Sequence, residues 1–422
     1  MVSVAGGHPT DSPTDQVRAM TSIVEVNRTY KYRLYDKAKA NRRLHDTINV
    51  AGIIWNHITA LRKRYYRRFH THLKSNPLQK HISFLRMNTK RYAFWKIVGS
   101  QAVQDICQRH DAAYERFFTK TGGLPRFKKV KTYTSFTLKQ AGWDLGADSP
   151  PRGGHKHPKW TGHVNILGQA YKFVKHRPMR GEIKTVTIKR DAARRLWVCF
   201  SVIETIVLDE EASTGQIGGF DFGLKTFLTT NNGTRIDAPQ FFKQDVPRLR
   251  TIQRRVSRKA KGSTNQINGQ THLARRHMRI ADKRRDFHFQ LAHELCQQYD
   301  VLVFEDLNIA GMKRLWGTKV SDLGFAKFLK IVQSTAAKQG KRVILIDRWE
   351  RTTQTCSGCG HRQPLTLEDR VFACEQCHMI LDRDHNAAKN IVEAGHRLIL
   401  SQSEEARARR TASGVKGRRP RL

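Results

Sequence analysis

Negative charge is scarce in this sequence: 36 Asp and Glu stand against 77 Lys and Arg in 422 residues, a formal net charge of +41. A compact fold with that excess repels itself unless a polyanion neutralises it, which makes a phosphate backbone the expected partner. Long apolar runs are missing too. Stretches such as Val301-Leu302-Val303-Phe304 fall far short of the roughly 18–20 residues that span a bilayer, and the N-terminus has no apolar signal-peptide core. No membrane partner is expected, and the expected location is intracellular, cytoplasmic and nucleoid-associated. Cysteine is sparse and odd in number. Of seven, Cys107, Cys199 and Cys296 are scattered in apolar surroundings, while Cys356, Cys359, Cys374 and Cys377 form two pairs. In a reducing compartment that pattern speaks for a metal site rather than disulfides. Apolar residues are not lacking: at 39%, with 9% aromatic, they exclude a mostly disordered polycation.

Residues 1–19 are polar and without periodicity, a disordered leader. Tyr30 to Leu34 alternates aromatic and basic residues in strand fashion, and Leu44, Ile48, Ala51, Trp55 and Ile58 follow at helical spacing. A second helix is predicted from Ser100 to Thr119, with Val103, Ile106, Cys107, His110, Ala113 and Phe117 on one face. Basic, β-rich sequence runs from Pro125 to Gly142, then a Pro/Gly/His-rich loop from Ser149 to Pro158. Strand signals at Ile183–Ile188 and Trp197–Val202, joined through Asp191 to Arg195, predict a hairpin. Past a linker at 209–215 the chain alternates strands and helices. Strands are predicted at Ile217–Phe222, Phe227–Thr230, Val301–Glu305 and Arg342–Ile346, with helices over 247–299, over 324–338 and from His385.

Three acids occupy telling places. Asp221 sits in the apolar strand Gly219-Phe220-Asp221-Phe222-Gly223, Glu305 ends Val301–Glu305, and Asp384 opens the last helix. A carboxylate at the end of a buried apolar strand is costly unless it is paired or binds metal. Three together, beside a phosphate partner, fit a site where two Mg²⁺ ions about 3.5–4 Å apart orient water for phosphodiester hydrolysis. Each also has a plainer reading: Asp384 as a helix N-cap, Asp221 as a turn residue. Glu305 is preferred over Asp306 because it continues the face of Val301 and Val303. Asp382 and Asp384 share a face if extended, so Asp382 competes with Asp384.

Cys356-Ser-Gly-Cys359 and Cys374-Glu-Gln-Cys377 are two C-x₂-C knuckles separated by 14 residues. Four thiolates close a structural Zn²⁺ shell, leaving His361 and His378 outside it. Gly358 and Gly360 supply tight turns, and Leu365 to Phe372 is expected to form the ribbon's hairpin. Residues 248–285 hold 13 Lys and Arg against one acid, Asp282. A solvated helix face mixes signs, so phosphate contact is expected there, at Arg254, Arg255, Arg258, Lys259, Arg275, Arg276 and Arg279. Arg126, Lys128, Tyr30 and Arg33 are further nucleic-acid candidates in the first half. The end of the chain, Ala406–Leu422, carries seven cations and no acid.

The order Gly-Phe-Asp221-Phe-Gly-Leu, Phe-Glu305-Asp-Leu-Asn, paired C-x₂-C, and Leu-Asp-Arg-Asp384-His-Asn-Ala-Ala-Lys-Asn-Ile resembles TnpB, the transposon-encoded RNA-guided DNA endonucleases ancestral to compact type V CRISPR effectors. Tyr30-Lys31-Tyr32-Arg33-Leu34-Tyr35 and Pro125-Arg126-Phe127-Lys128 are similar to that family's wedge and recognition segments. The resemblance covers about Val24 to Ala394. It implies a fold class of α/β plus β: an RNase H-like RuvC nuclease domain with an inserted zinc ribbon, preceded by a β-barrel-like wedge domain with a helical recognition insertion. The implied boundaries are a leader over 1–22, the wedge over 23–205 with its insertion at about 40–121, RuvC-like parts over 206–350 and 381–396, the ribbon over 351–380, and a basic disordered tail over 397–422. Asp221, Glu305 and Asp384 would form the catalytic triad on two Mg²⁺ ions, the four cysteines would hold one Zn²⁺, and the partners would be a guide RNA and double-stranded target DNA, with a monomer favoured. The competing readings are a compact type V CRISPR effector, a guided DNA-binding regulator that does not cut, and an RNase H-like transposase that works without RNA.

Overall fold

The computed structural model describes residues 22–150, 160–208, 214–366 and 368–414. The expected leader up to residue 21, residues 151–159 of the loop, 209–213 of the linker and the end beyond 414 lie outside them. The chain divides into two compact units, one built from Glu25–Thr205 and Asp245–Ile280, the other chiefly from Ile206–Gln244 and Ala281–Leu422.

The first unit opens with strand β1 (Ser22–Leu34), in which exposure alternates from Val24 onward until Tyr30, Tyr32 and Leu34 are buried. Helices α1 (Ala38–Phe69), α2 (Ser75–Asn88) and α3 (Ser100–Phe118) follow, with a 3₁₀ segment at Lys90–Val98 before α3. The apolar stripe read from α1 is the buried one: Leu44, Ile48, Ala51, Trp55 and Ile58 are all in the core. On α3, Val103, Ile106, Cys107 and His110 are buried, but Phe117, predicted on that face, is exposed at the helix end. Strands β2 (Ser135–Leu138), β3 (Trp143–Ser149), β4 (Trp160–Ile166), β5 (Gln169–Lys175), β6 (Glu182–Arg190) and β7 (Leu196–Leu208) complete a seven-stranded sheet in the order β2-β6-β7-β1-β5-β4-β3. The β6–β7 hairpin turns at Asp191–Arg195, as its sequence predicts.

The second unit is built on a five-stranded sheet in the order β10-β9-β8-β11-β12: β8 (Ile217–Phe222), β9 (Thr226–Thr230), β10 (Arg235–Asp237), β11 (Val301–Glu305) and β12 (Arg342–Ile346). The first three strands run antiparallel, while β11 lies parallel to both β8 and β12. Between β10 and β11 come the basic helices α4 (Phe241–Ser257) and α5 (Thr264–Gln298), whose stretch Asp245–Ile280 belongs to the first unit, and between β11 and β12 come α6 (Ile309–Leu323) and α7 (Phe325–Lys338). Phe220 and Phe304 pack with Leu291, Leu295, Phe325 and Phe328 on one face of the sheet. Val303, Ile344 and Ile346 pack on the other face with Ile391 and Ala394 of α8 (Arg383–Gly414).

Two expectations are corrected. The ribbon's hairpin pairs β13 (Val371–Ala373) with β14 (Ile380–Asp382), not residues 365–372 with each other, because the second cysteine loop makes the turn. The tail expected from 397 continues α8 as helix to Gly414, where Leu398 and Ile399 still pack on the apolar cluster of Ile391 and Ala394. Among the described residues no helix is long and apolar enough to cross a membrane.

Candidate functional site

Strand alternation decides where the acids point. In β11 Leu302 and Phe304 join the cluster with α5 and α7, so Val301, Val303 and Glu305 face α8. In β8 Phe220 and Phe222 take the same side as Phe304, so Ile217, Gly219 and Asp221 face α8. Phe304 is registered beside Phe220 in the parallel pair. Asp221 and Glu305 therefore end neighbouring parallel strands on one face, the carboxyl-end position where open α/β sheets bind ligands. Asp384 lies in the first turn of α8, which packs on that face.

Asp221 feels the other two acids. Burial, then the Glu305 carboxylate, then that of Asp384 push the Asp221 carboxyl well above its usual range, with Arg383 opposing. Burial also raises Glu305, against a 2.5 Å hydrogen bond donated by the Thr352 hydroxyl to its Oε1. Asp384 lies 3.3 Å from the Arg383 guanidinium. The N-cap is Asp382: its Oδ1 accepts from the backbone N–H of Asp384 and of His385, both at 3.1 Å, and it pairs with Arg235. That leaves the Asp384 side chain free of capping. Asp306 turns away to Arg348, as alternation requires.

The four cysteines are the group of metal-ligating side chains, among the described residues, whose ligand atoms all lie within 4.8 Å of one another. Cys356 Sγ is 3.6 Å from Cys377 Sγ, and Cys359 Sγ is 3.6 Å from Cys374 Sγ. A tetrahedron of Zn–S bonds of about 2.3 Å has edges of about 3.8 Å, so the donor set fits that ion. Each knuckle folds back on its first sulfur: the N–H of Gly358, two residues on, donates to Cys356 Sγ at 3.4 Å, and that of Cys377, three residues on, to Cys374 Sγ at 3.5 Å. Backbone N–H groups of Cys377 and Gln376 pull the Cys374 thiol down, while contacts among the sulfurs push the thiols of Cys359 and Cys377 up, as in a cluster that shares its protons. Cys107 and Cys296 are core residues. Burial lifts the thiols of Cys107 to about 12 and of Cys296 to about 11.

The basic candidates divide. Arg254, Arg255, Arg258, Lys259, Arg275 and Arg279 are exposed on α4, α5 and the turn between them, and Arg33 and Arg126 are exposed in the first half. Arg248, His272, Arg275, Arg276 and Arg279 line a cavity of about 560 Å³ between α4 and α5. Arg276 is half-buried and forms a two-pronged pair with Asp245, so it braces the two helices rather than waiting for phosphate. Tyr30 is a correction. It is 3% exposed, in the core beneath the Arg177 guanidinium, because its strand face is the inner one. Lys128 places its ammonium 3.5 Å from the Trp55 ring centroid, a cation–π contact that engages it within the fold.

Sequence reasoning missed Thr352 and the two asparagines that hold its segment. Asn386 and Asn390 were visible as amides four residues apart on one helix face; Thr352 has no signal beyond its nearness to Cys356.

Comparison with known proteins adds independent matches. Residues 198–315, which carry Asp221 and Glu305, match the OrfB_IS605 model, described as "Probable transposase". Residues 325–391, which carry the four cysteines and Asp384, match the Cas12f1-like TNB domain model. A Streptomyces pristinaespiralis protein named "Putative RNA-guided DNA endonuclease" is 28% identical over 383 residues, 88% of this chain and 90% of that protein. The Escherichia coli K12 protein named "Putative RNA-guided DNA endonuclease InsQ" is 26% identical over 326 residues, 71% of this chain and 75% of its own. The solved structure titled "Structure of the mini-RNA-guided endonuclease CRISPR-Cas_phi3" aligns at TM-score 0.51 and 11% identity over 88% of this chain and 92% of that one, a likeness of fold. These matches bear out the resemblance read from the motifs.

Proposed function

We propose that this chain, a relative of TnpB proteins, is an RNA-guided, divalent-metal-dependent DNA endonuclease. The observation that carries the reading is the convergence of Asp221, Glu305 and Asp384 on the α8 face of the five-stranded sheet, with Asp221 held far from its ordinary ionisation by burial and by the other two. Such a cluster is unfavourable without a cation, and in a protein of net charge +41 it is a local reversal of sign. Three antiparallel strands followed by two parallel ones, with α8 on the acid side, support an RNase H-like sheet of RuvC type. The seven-stranded sheet with α1–α3 takes the place of the wedge and its recognition insertion. The boundaries near residues 205, 350 and 380 follow from that assignment.

Asp221, Glu305 and Asp384 would hold two Mg²⁺ ions. Bound there, divalent metal supplies an activated water and neutralises charge on the scissile phosphate. The chain's own part is to keep three carboxylates facing one another, with Thr352 and Arg383 setting two of them. The four thiolates would hold one Zn²⁺ whose binding energy contributes to folding of the ribbon. Arg254, Arg255, Arg258, Lys259, Arg275 and Arg279 offer exposed cations for phosphate, as do Arg33 and Arg126. Sequence choice is then delegated to base pairing between guide and target, while protein contacts read duplex shape and a flanking motif.

The test compares wild type with Glu305→Gln, each purified with its RNA. The variant is expected to bind RNA and DNA normally and to cut at least about 10³-fold more slowly. Equal cutting by the two proteins would refute the enzyme reading.

A further inference from the structure

Thr352 is 3% exposed, in the irregular segment between β12 and the first cysteine. Its hydroxyl donates to Glu305 Oε1 at 2.5 Å. Its backbone is gripped from α8: Asn390 Nδ2 donates to the carbonyls of Thr352 at 2.7 Å and Thr355 at 2.6 Å. One turn earlier, Asn386 Nδ2 donates to the Thr355 carbonyl at 2.7 Å, and its Oδ1 accepts the Ser357 N–H at 2.9 Å. Asn386 is fully buried, so its amide is committed to this segment. Two amides four residues apart share one helix face and hold residues 352–357 along it. The segment ends inside the first cysteine loop, since Ser357 follows Cys356.

We propose that Thr352 is a positioning residue for Glu305, and that the clamp made by Asn386 and Asn390 couples the order of the four-cysteine site to the placement of that carboxylate. The proposal rests on Glu305 being a metal ligand of the catalytic site. A glutamate has several rotatable bonds, and β11 fixes only its backbone. A donor on Oε1 selects the carboxylate's orientation and leaves the second oxygen for metal. Partners of this kind, one step removed from the metal, affect affinity by about 10–100-fold when removed. The same helix places Asp384 two residues before Asn386, so one element sets one acid directly and a second through the clamp.

The experiment uses the full-length protein with its RNA and four variants: Thr352→Val, Thr352→Ser, Asn390→Leu and Glu305→Gln. Three quantities are read: Mn²⁺ binding by electron paramagnetic resonance, the Mg²⁺ concentration giving half-maximal cleavage, and bound zinc by mass spectrometry. Thr352→Val keeps the shape and loses the donor. It is expected to weaken Mn²⁺ binding and raise the Mg²⁺ midpoint about 10-fold while retaining its zinc, and Thr352→Ser is expected to restore both to wild-type values. An unshifted Thr352→Val overturns the proposal, as does a serine variant as impaired as the valine. Should Thr352→Val lose its zinc, Asn390→Leu decides, because it cuts the clamp without touching Glu305: a raised midpoint supports the coupling and an unshifted one overturns it. Glu305→Gln separates the two levels. If it cleaves like wild type, the catalytic reading itself fails; if it is inactive while Thr352→Val is unshifted, the positioning proposal alone fails.

Discussion

At the scale of single residues, the acids show what a pattern can and cannot say. Period-two alternation along β8 and β11 places Asp221 and Glu305 on one face with no need of coordinates, and it sends Asp306 outward. Which of Asp382 and Asp384 caps α8 is not legible that way; the hydrogen bonds from the N–H groups of Asp384 and His385 give that role to Asp382. Tyr30 and Arg276 misled for the same reason. An aromatic or a cation looks available in sequence, whereas Tyr30 faces the core and Arg276 is matched to Asp245, 31 residues away. The raised carboxyl of Asp221 carries a stability consequence. Above pH 3.8 the unfolded chain ionises this group freely while the folded chain resists, so stability falls as pH rises through the interval up to the folded value. Asp221→Asn removes that cost. In chelator at pH 7.5 the variant's Tm is expected to exceed wild type by about 2–4 °C, the shift from roughly 1 kcal/mol in units this size, and added Mg²⁺ should raise the wild-type Tm alone. A lower Tm for Asp221→Asn in differential scanning calorimetry would contradict a strained acid cluster.

At the scale of elements, the short buried strands were the most legible. β11 and β12 have the predicted bounds, and α7 begins within one residue, because continuous apolar runs flanked by turn residues leave few alternatives. Helices α2 and α6 were not anticipated: α2 buries only Leu78 and Ile82, and α6 is kinked at Trp316 and buries only Val320 and Leu323. Strands β3 to β5 were hidden by their exposed, polar faces. The docking of α8 depends on missing side chains. A Cβ at Gly219 would lie 2.4 Å from the Ala388 carbonyl oxygen and 2.6 Å from Val392, and one at Gly395 would lie 2.6 Å from Val303. Since the contact at Gly219 is with backbone, Gly219→Ala must push α8, and Asp384 with it, off the sheet. It is expected to cost about 1–3 kcal/mol by chemical denaturation and to reduce cleavage, whereas Gly317→Ala, whose Cβ meets nothing within 4 Å, should leave both near wild type. Equal stability for the two variants would mean that α8 does not need this close approach.

At the scale of the whole molecule, the shortage of negative charge acquires a distribution. The cations of Asp245–Ile280 group with the seven-stranded sheet and α1–α3, while the three acids and the four cysteines belong to the other unit. Exposed cations of α4 and of α5 up to Ile280 thus lie in one unit, while Asp221 and Glu305 at strand ends and Asp384 at the start of α8 lie in the other. The most direct measurement incubates the purified protein, loaded with the RNA that co-purifies and is sequenced, with duplex DNA either complementary to that RNA's guide segment or scrambled. The expected result is Mg²⁺-dependent cutting of the complementary duplex alone, lost when the RNA is removed. Cutting of both duplexes at equal rates, or undiminished cutting without RNA, would contradict the account.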